Sequence, residues 1–270
     1  MKISQYGLLG RRLSHSISPK IHKKIFELTN YKNAQYEIME IEPSEVETTL
    51  KTIKQNMKGV NVTIPYKKTV IPHLTFISQE AKQIGAINTI LTYKDNLYGF
   101  NTDYFGFAKM LYHHNINITN KVVVVIGSGG SSKAVTTYLT SNKAKQVYVV
   151  TRDKTDKLLQ PNLTLINYEN LKNIKGDVLI NTTPIGMYPN IDETPIDSTT
   201  IQNYNVLVDL IYNPIQTKFL SIGEKLNKKT CGGLYMLVAQ AVKSQEIWQN
   251  KSINNGVINI IYDYFKHEGL

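Results

Sequence analysis

Residues 121–134 read KVVVVIGSGGSSKA, and this stretch decides the fold. Four valines and Ile126 make an unbroken run of β-branched residues, the pattern of a strand covered on both faces of a parallel sheet. The run stops at Gly127. Gly127, Ser128, Gly129 and Gly130 then form a turn with little side-chain bulk, followed by Ser131. Ala134, Val135, Tyr138 and Leu139 recur at helical spacing. Strand, glycine turn and helix in that order are what a dinucleotide-binding unit requires. Glycines let the backbone approach a pyrophosphate, and the free N–H groups at the helix N-terminus stabilise the anion. The string G-S-G-G-S-S departs from G-x-G-x-x-G, so a tight turn in any α/β domain is the plain alternative.

Working outward, a second strand is expected over 146–151, ending about 20 to 25 residues after the first glycine, where an adenosine ribose is read. There the sequence has Thr151 and Arg152, with Lys154 and Lys157 behind. The planar fork of an arginine pairs bidentately with phosphate oxygens, which suits a 2′-phosphate and favours NADP over NAD. Asp153 opposes this preference, because an inward carboxylate repels phosphate. Further short strands are expected at 163–167, 177–181 and 206–210. After Gly232-Gly233 the pattern turns helical, at 234–249 and about 253–267.

Towards the N-terminus the pattern alternates: strand 3–9, a helix opened by Ser18 as cap and Pro19, strand 35–41, a helix to about Asn56 with Ser44 and Glu47 as a capping box, and strand 59–64. This βαβ grammar lacks a glycine-rich phosphate loop and indicates a separate substrate-holding domain. Two apolar runs around Lys94-Asp95-Asn96 read as a hairpin, and a helix is expected over 102–113. The terminal helices need a surface to cover, so they are expected to return to the first domain. The fold expected is two-domain α/β. Residues 1–103 with 233–270 form an N-terminal α/β substrate and catalytic domain, and 104–232 a Rossmann-like dinucleotide domain.

The 270 residues suffice for two ordinary cores. A formal net charge of +10 comes from lysines scattered along the chain. It fits an anionic substrate with a phosphorylated cofactor, or simply a basic surface, better than nucleic acid. A single cysteine, Cys231, excludes an intrachain disulfide framework and fits a reducing compartment. Arg11 and Arg12 interrupt the first apolar stretches, and no run approaches a membrane span, so the expected location is cytoplasmic.

Four polar clusters fall at the ends of expected strands: Ser14-His15-Ser16-Ile17-Ser18-Pro19, Asn61-Val62-Thr63-Ile64-Pro65-Tyr66-Lys67, Asn88-Thr89 and Asn101-Thr102-Asp103. With the glycine turn and Gly233-Leu234-Tyr235-Met236-Leu237-Val238-Ala239-Gln240-Ala241, their order and spacing resemble the shikimate dehydrogenase family over essentially the whole chain. The resemblance implies reversible NADPH-dependent reduction of 3-dehydroshikimate to shikimate, in aromatic amino-acid biosynthesis. It implies Lys67 and Asp103 as the catalytic pair and Ser16, Ser18, Asn61, Thr63, Asn88, Tyr212 and Gln240 as substrate contacts. On the cofactor side it implies Gly127, Ser128, Gly129, Gly130, Ser131, Thr151, Arg152, Thr182, Gly233 and Met236, with no metal. A monomer or homodimer is expected.

The chemistry agrees with those residue types. Hydride reduction of a carbonyl builds negative charge on oxygen, which calls for a proton donor and a cation beside it; a lysine supplies both. Serine, threonine and asparagine offer donors and acceptors to a polyhydroxylated acid without bulk. The departures lie on the nucleotide side: Ser131 where the family often has alanine, and Thr151-Arg152-Asp153 where it has asparagine-arginine-threonine. They bear on cofactor selectivity. The alternatives are a quinate/shikimate dehydrogenase that also uses NAD, a catalytically idle dinucleotide-binding sensor, and a basic nucleic-acid module without a recognisable motif. His113-His114 reads as a solvated helix end and Cys231 as structural.

Overall fold

The computed structural model describes residues 3–152 and 162–268. In chain order the elements are β1 (Ser4–Gly10), α1 (Ser18–Leu28), β2 (Ala34–Glu40), α2 (Val46–Asn56), β3 (Gly59–Val62), β4 (Phe76–Ile77), α3 (Gln79–Ile84), β5 (Thr89–Tyr93), β6 (Asn96–Phe100) and α4 (Thr102–His113). The second half continues with β7 (Val122–Ile126), α5 (Gly130–Ser141), β8 (Gln146–Val150), β9 (Leu163–Ile166), α6 (Tyr168–Leu171), β10 (Val178–Asn181), α7 (Ser198–Ile201), β11 (Val206–Asp209), α8 (Lys218–Lys225) and β12 (Lys229–Cys231). The chain ends with α9 (Leu234–Gln249) and α10 (Gly256–Glu268). It divides into two compact units, Met1–Gly106 with Val238–Leu270, and Phe107–Leu237. The divisions fall inside α4 and α9. No described helix is long and apolar enough to cross a membrane.

The first unit holds a mixed sheet in the order β2-β1-β3-β5-β6-β4. Period-two alternation sends its residues to two different layers. Leu9, Val60, Val62 and Ile90 pack with Val46, Leu50 and Ile53 of α2. On the opposite face Tyr6 packs with Phe26 of α1 and Trp248 of α9. The Trp248 indole donates to Ile90 O at 2.9 Å, so α9 is docked on this sheet by both area and a hydrogen bond. The hairpin joining β5 and β6 turns on Lys94 and Asp95, both at positive φ, as a two-residue connection requires.

The second unit is a wholly parallel sheet in the order β12-β11-β10-β7-β8-β9. Its central strands carry the valine-rich runs, and Val123, Val124, Val125 and Ile126 are solvent-free. Consecutive strands step one way from β7 to β9, and then β10 starts again on the other side of β7. That reversal is the topological switch point of a Rossmann-like sheet, where the C-terminal strand ends leave a crevice for a ligand.

Three local expectations need correction. Ser18 lies inside α1; the cap position is Ile17, and no side chain caps the helix. The capping box belongs to Glu42 and Glu45, because a short 3₁₀ turn over Pro43–Glu45 precedes α2; Glu47 instead pairs with Lys51 on the surface at 2.8 Å. Strand β3 stops at Val62, short of Ile64.

Candidate active site

Strand register assembles the polar clusters of the first unit. Leu8, Asn61, Thr89 and Phe100 align in one row across β1, β3, β5 and β6. Residues 63, 88 and 101–103 therefore emerge at the same end of the sheet, although 40 positions of sequence separate the extremes. There Lys67 Nζ donates to Asp103 Oδ2 at 2.7 Å, with side chains only 14% and 11% exposed. The Lys67 backbone is held by a 2.7 Å hydrogen bond from Ile87 N–H. Asp103 sits in the first turn of α4, where a helix favours negative charge.

Hydrogen-bond polarity defines how Asn88 meets this pair. The Thr102 N–H can only donate, and it donates to Asn88 Oδ1 at 2.7 Å. The Asn88 amide therefore presents Nδ2 to Asp103 Oδ1 at 2.8 Å. The two Asp103 oxygens thus meet different partners, Oδ1 the Asn88 amide and Oδ2 the Lys67 nitrogen. Beneath the pair lies a closed polar layer. Asn61 Nδ2 donates to Ser244 Oγ at 2.9 Å and to Asn88 O at 3.2 Å, while its Oδ1 accepts from Tyr36 at 2.9 Å. Thr89, Thr102 and Ser244 share their hydroxyls at 2.9 to 3.2 Å, and Thr102 reaches Gln240 Oε1 at 3.3 Å. Ser16 Oγ donates to Ser18 Oγ at 3.2 Å and accepts from Ser18 N–H at 3.3 Å, so the Ser18 hydroxyl is not spent on capping.

In the second unit the glycine turn follows β7. Gly127 has φ +103°, the left-handed region that favours glycine, and a Cβ there would lie 2.8 Å from Thr182 Oγ1. Helix α5 begins at Gly130 with no side-chain cap and no acid in its first turn. A Cβ at Gly129 would meet nothing, so the approach to that helix end is open. Ser128 and Thr151 hydroxyls lie 3.1 Å apart, tying the turn to the end of β8. Arg152 is exposed beside them. Asp153, Lys154 and Lys157 lie outside the described residues. Thr182 Oγ1 donates to Ile126 O at 2.6 Å, and Gly233 packs where a Cβ would stand 2.1 Å from Leu210 O. An uncapped helix start, an open glycine and a nearby arginine fit a dinucleotide with a phosphorylated ribose. Tyr212, half-buried, and Met236, buried, belong to this unit.

Comparison with known proteins is decisive on descent. Residues 8–90 match the family model described as the shikimate dehydrogenase substrate binding domain. A curated relative named shikimate dehydrogenase (NADP(+)), from Clostridium beijerinckii, is 47% identical over 268 residues, covering 97% of this chain and 98% of its own. This chain belongs to the shikimate dehydrogenase family.

Solved structures of that family superpose closely. Shikimate dehydrogenase 1 from Peptoclostridium difficile is 50% identical with a TM-score of 0.94, covering 98% of this chain and 99% of its own. The Thermus thermophilus shikimate 5-dehydrogenase, solved in complex with NADP(H) and shikimate, is 27% identical with a TM-score of 0.87, covering 97% and 99%. Both support the two-part α/β fold with a Rossmann-like sheet.

Against this family background the structure adds residues the motifs do not name. Ser244 is fully buried at the centre of the polar layer, on the turn of α9 after Gln240. His22, also fully buried, stacks on Tyr36 at 3.9 Å and meets Gln245 Nε2 through Nδ1 at 2.8 Å. Burial pushes its imidazole down to about 3, so it is neutral at physiological pH. Only the helical spacing of Ser244 and Gln245 after Gln240 hints at these. His113 is exposed at the end of α4, as expected, and also stacks on Tyr235 at 4.0 Å. Cys231 is buried, and burial pushes its thiol up to about 12, which makes it inert. Among the described residues no cluster of histidine, cysteine and acids could hold a metal ion.

Proposed function

We propose that this chain is an NADP-dependent shikimate dehydrogenase that interconverts 3-dehydroshikimate and shikimate. The observation that carries the reading is the shielded Lys67–Asp103 ion pair, oriented by Asn88 at one sheet end. In this reading residues 1–103 with 233–270 hold the substrate, and residues 104–232 hold the cofactor. Gly127, Ser128, Gly129, Gly130 and Ser131 receive the pyrophosphate, and Thr151 and Arg152 the phosphorylated ribose. Thr182, Gly233 and Met236 line the rest. Bound NADPH supplies the hydride.

Everything else falls to side chains. Lys67 Nζ places an ammonium against the carbonyl oxygen, stabilises the charge that grows there, and releases a proton to it. In the reverse direction it recovers that proton. Asp103 fixes the ammonium through Oδ2 and accepts a substrate hydroxyl. Ser16 and Ser18 bind the carboxylate; Thr63, Asn88, Gln240, Tyr212 and Asn61 bind ring hydroxyls. Both sets of residues reside in one chain, so a monomer is sufficient and a homodimer is allowed. A single buried thiol suits the reducing cytoplasm. The test is direct: purified protein with 3-dehydroshikimate and NADPH must lose the nicotinamide absorbance band. A persistent band with folded protein would end the proposal.

A further inference from the structure

Asp209, at the end of β11, is absent from every motif above, yet it joins three separate segments of the second unit. It is fully buried. Its Oδ1 accepts from Asn181 Nδ2 and from Ile211 N–H, both at 3.1 Å, and its Oδ2 accepts from the Thr217 hydroxyl at 2.7 Å. Each partner leads to a different loop. Asn181 uses its own Oδ1 to hold Thr183, at 3.0 Å from N–H and 2.7 Å from Oγ1. Thr183 and Thr182 are the residues that close on Gly127. Ile211 O receives the Gly233 N–H at 3.0 Å, and Leu210 N–H donates to Asn181 O at 3.0 Å. The Tyr188 N–H donates to Asn213 O at 3.0 Å, which ties the two loops together again.

We propose that Asp209 is a positioning residue for the cofactor side: its carboxylate locks loop 182–188 and turn 210–213 so that Thr182 faces the glycine turn and Gly233 packs beneath Leu210. This rests on the reading of the second unit as an NADP site. Among the described residues no cation meets this carboxylate, and burial pushes it up to about 6 despite three donors. A buried charge held only by neutral groups is costly to keep for packing alone, which is consistent with a role in holding loops.

The test measures the dissociation constant for NADPH by nicotinamide fluorescence, together with the unfolding midpoint, on the full chain. Asp209→Ala leaves the Ile211 N–H unpaired and the Asn181 amide with only its 3.4 Å bond to Ile185 O, and should weaken NADPH at least tenfold. Asp209→Asn keeps an Oδ1 acceptor for both and should stay within threefold of wild type. Thr183→Val leaves Asp209 and its three donors in place, removes the Thr183 hydroxyl's bonds to Asn181 Oδ1 and from Ile185 N–H, and should weaken binding threefold or more with an unchanged midpoint; it decides the matter if Asp209→Ala does not fold. Wild-type affinity in folded Asp209→Ala, or in Thr183→Val when that variant does not fold, overturns the proposal. Asp209→Asn as weak as Asp209→Ala also overturns it, because the charge itself would then be required. A wild-type chain that binds no NADPH sinks the cofactor reading and this proposal with it, whereas tight wild-type binding with indifferent variants sinks the proposal alone.

Discussion

Each unit carries one conspicuous buried carboxylate at a sheet end, and the two are solved in opposite ways. Asp103 faces a lysine ammonium at 2.7 Å and keeps a thin exposure to solvent. Asp209 faces two amide-type donors and a hydroxyl, with no cation among the described residues and no solvent. The first arrangement leaves the lysine nitrogen with further N–H bonds to offer, which suits the proton-donor role proposed for it. The second cannot reach outside, and its energy goes into holding loops. In the reading proposed above, a shared residue type serves chemistry in one unit and geometry in the other, and what separates them is the nature of the nearest donor.

The strongest way to break this contrast is to delete the charge pair. Lys67→Ala and Asp103→Ala should each lower kcat by about a thousandfold, the scale of a lost proton donor or its orienting partner. Steady-state kinetics on variants shown folded by circular dichroism checks this, and near-normal turnover removes the residue concerned from the chemistry. The next effect is on stability. The folded-state pKa of Asp209, about 6, lies above the ordinary value of 3.8, so the folded state binds the proton more tightly than the unfolded one. Its ionisation therefore costs stability as pH rises through that window, up to about 3 kcal/mol above pH 6. Asp209→Asn should gain stability relative to wild type between pH 4 and pH 7, a trend that denaturant titration at several pH values reads. A difference that does not change with pH would remove the contrast between the two carboxylates.

Smaller effects sharpen the picture. Ser244→Ala leaves Asn61 Nδ2 and Thr89 with one partner fewer in a buried layer and should cost about 1 to 2 kcal/mol in unfolding free energy, with kcat reduced less than by loss of Lys67. Equal losses of activity in the two variants would place Ser244 among the reacting groups. Arg152→Ala, at an exposed position, should reduce the preference for NADPH over NADH by about tenfold, the value of one charge-assisted pair. The ratio of kcat/KM for the two cofactors reports it.

How far these features could be read in advance depends on their range. The run 122–126, the glycine turn and α5 were legible because a continuous apolar run and a cluster of glycines are signals within one short window. Helices α4 and α9 occupy the expected residues for the same reason. Strand β12 was not legible: Lys229-Thr230-Cys231 has no apolar run, and only pairing with β11 makes it a strand. The helix cap at Glu42 was missed because Pro43 starts a 3₁₀ turn that displaces the onset of α2, a shift that Ser44 and Glu47 do not announce. Ser244 was invisible because its partner Asn61 is 183 residues away. Asp209 read as part of an ordinary strand, since its partners Asn181 and Thr217 lie 28 and 8 positions away.

From the chain alone came the local elements, the order of the polar motifs and the inventory of groups able to move a proton or cradle a phosphate. Backbone preference and periodicity act over a few residues, and that is enough to specify them. The tertiary structure decided which of those groups meet. It brought Lys67 to Asp103 across 36 positions and turned the Asn88 amide to face a carboxylate. It also surrounded Asp209 with neutral donors alone. Distance, desolvation and hydrogen-bond direction arise only when strands from remote parts of the chain fall into register, and those three quantities separate a carboxylate paired with a cation from one held by neutral donors.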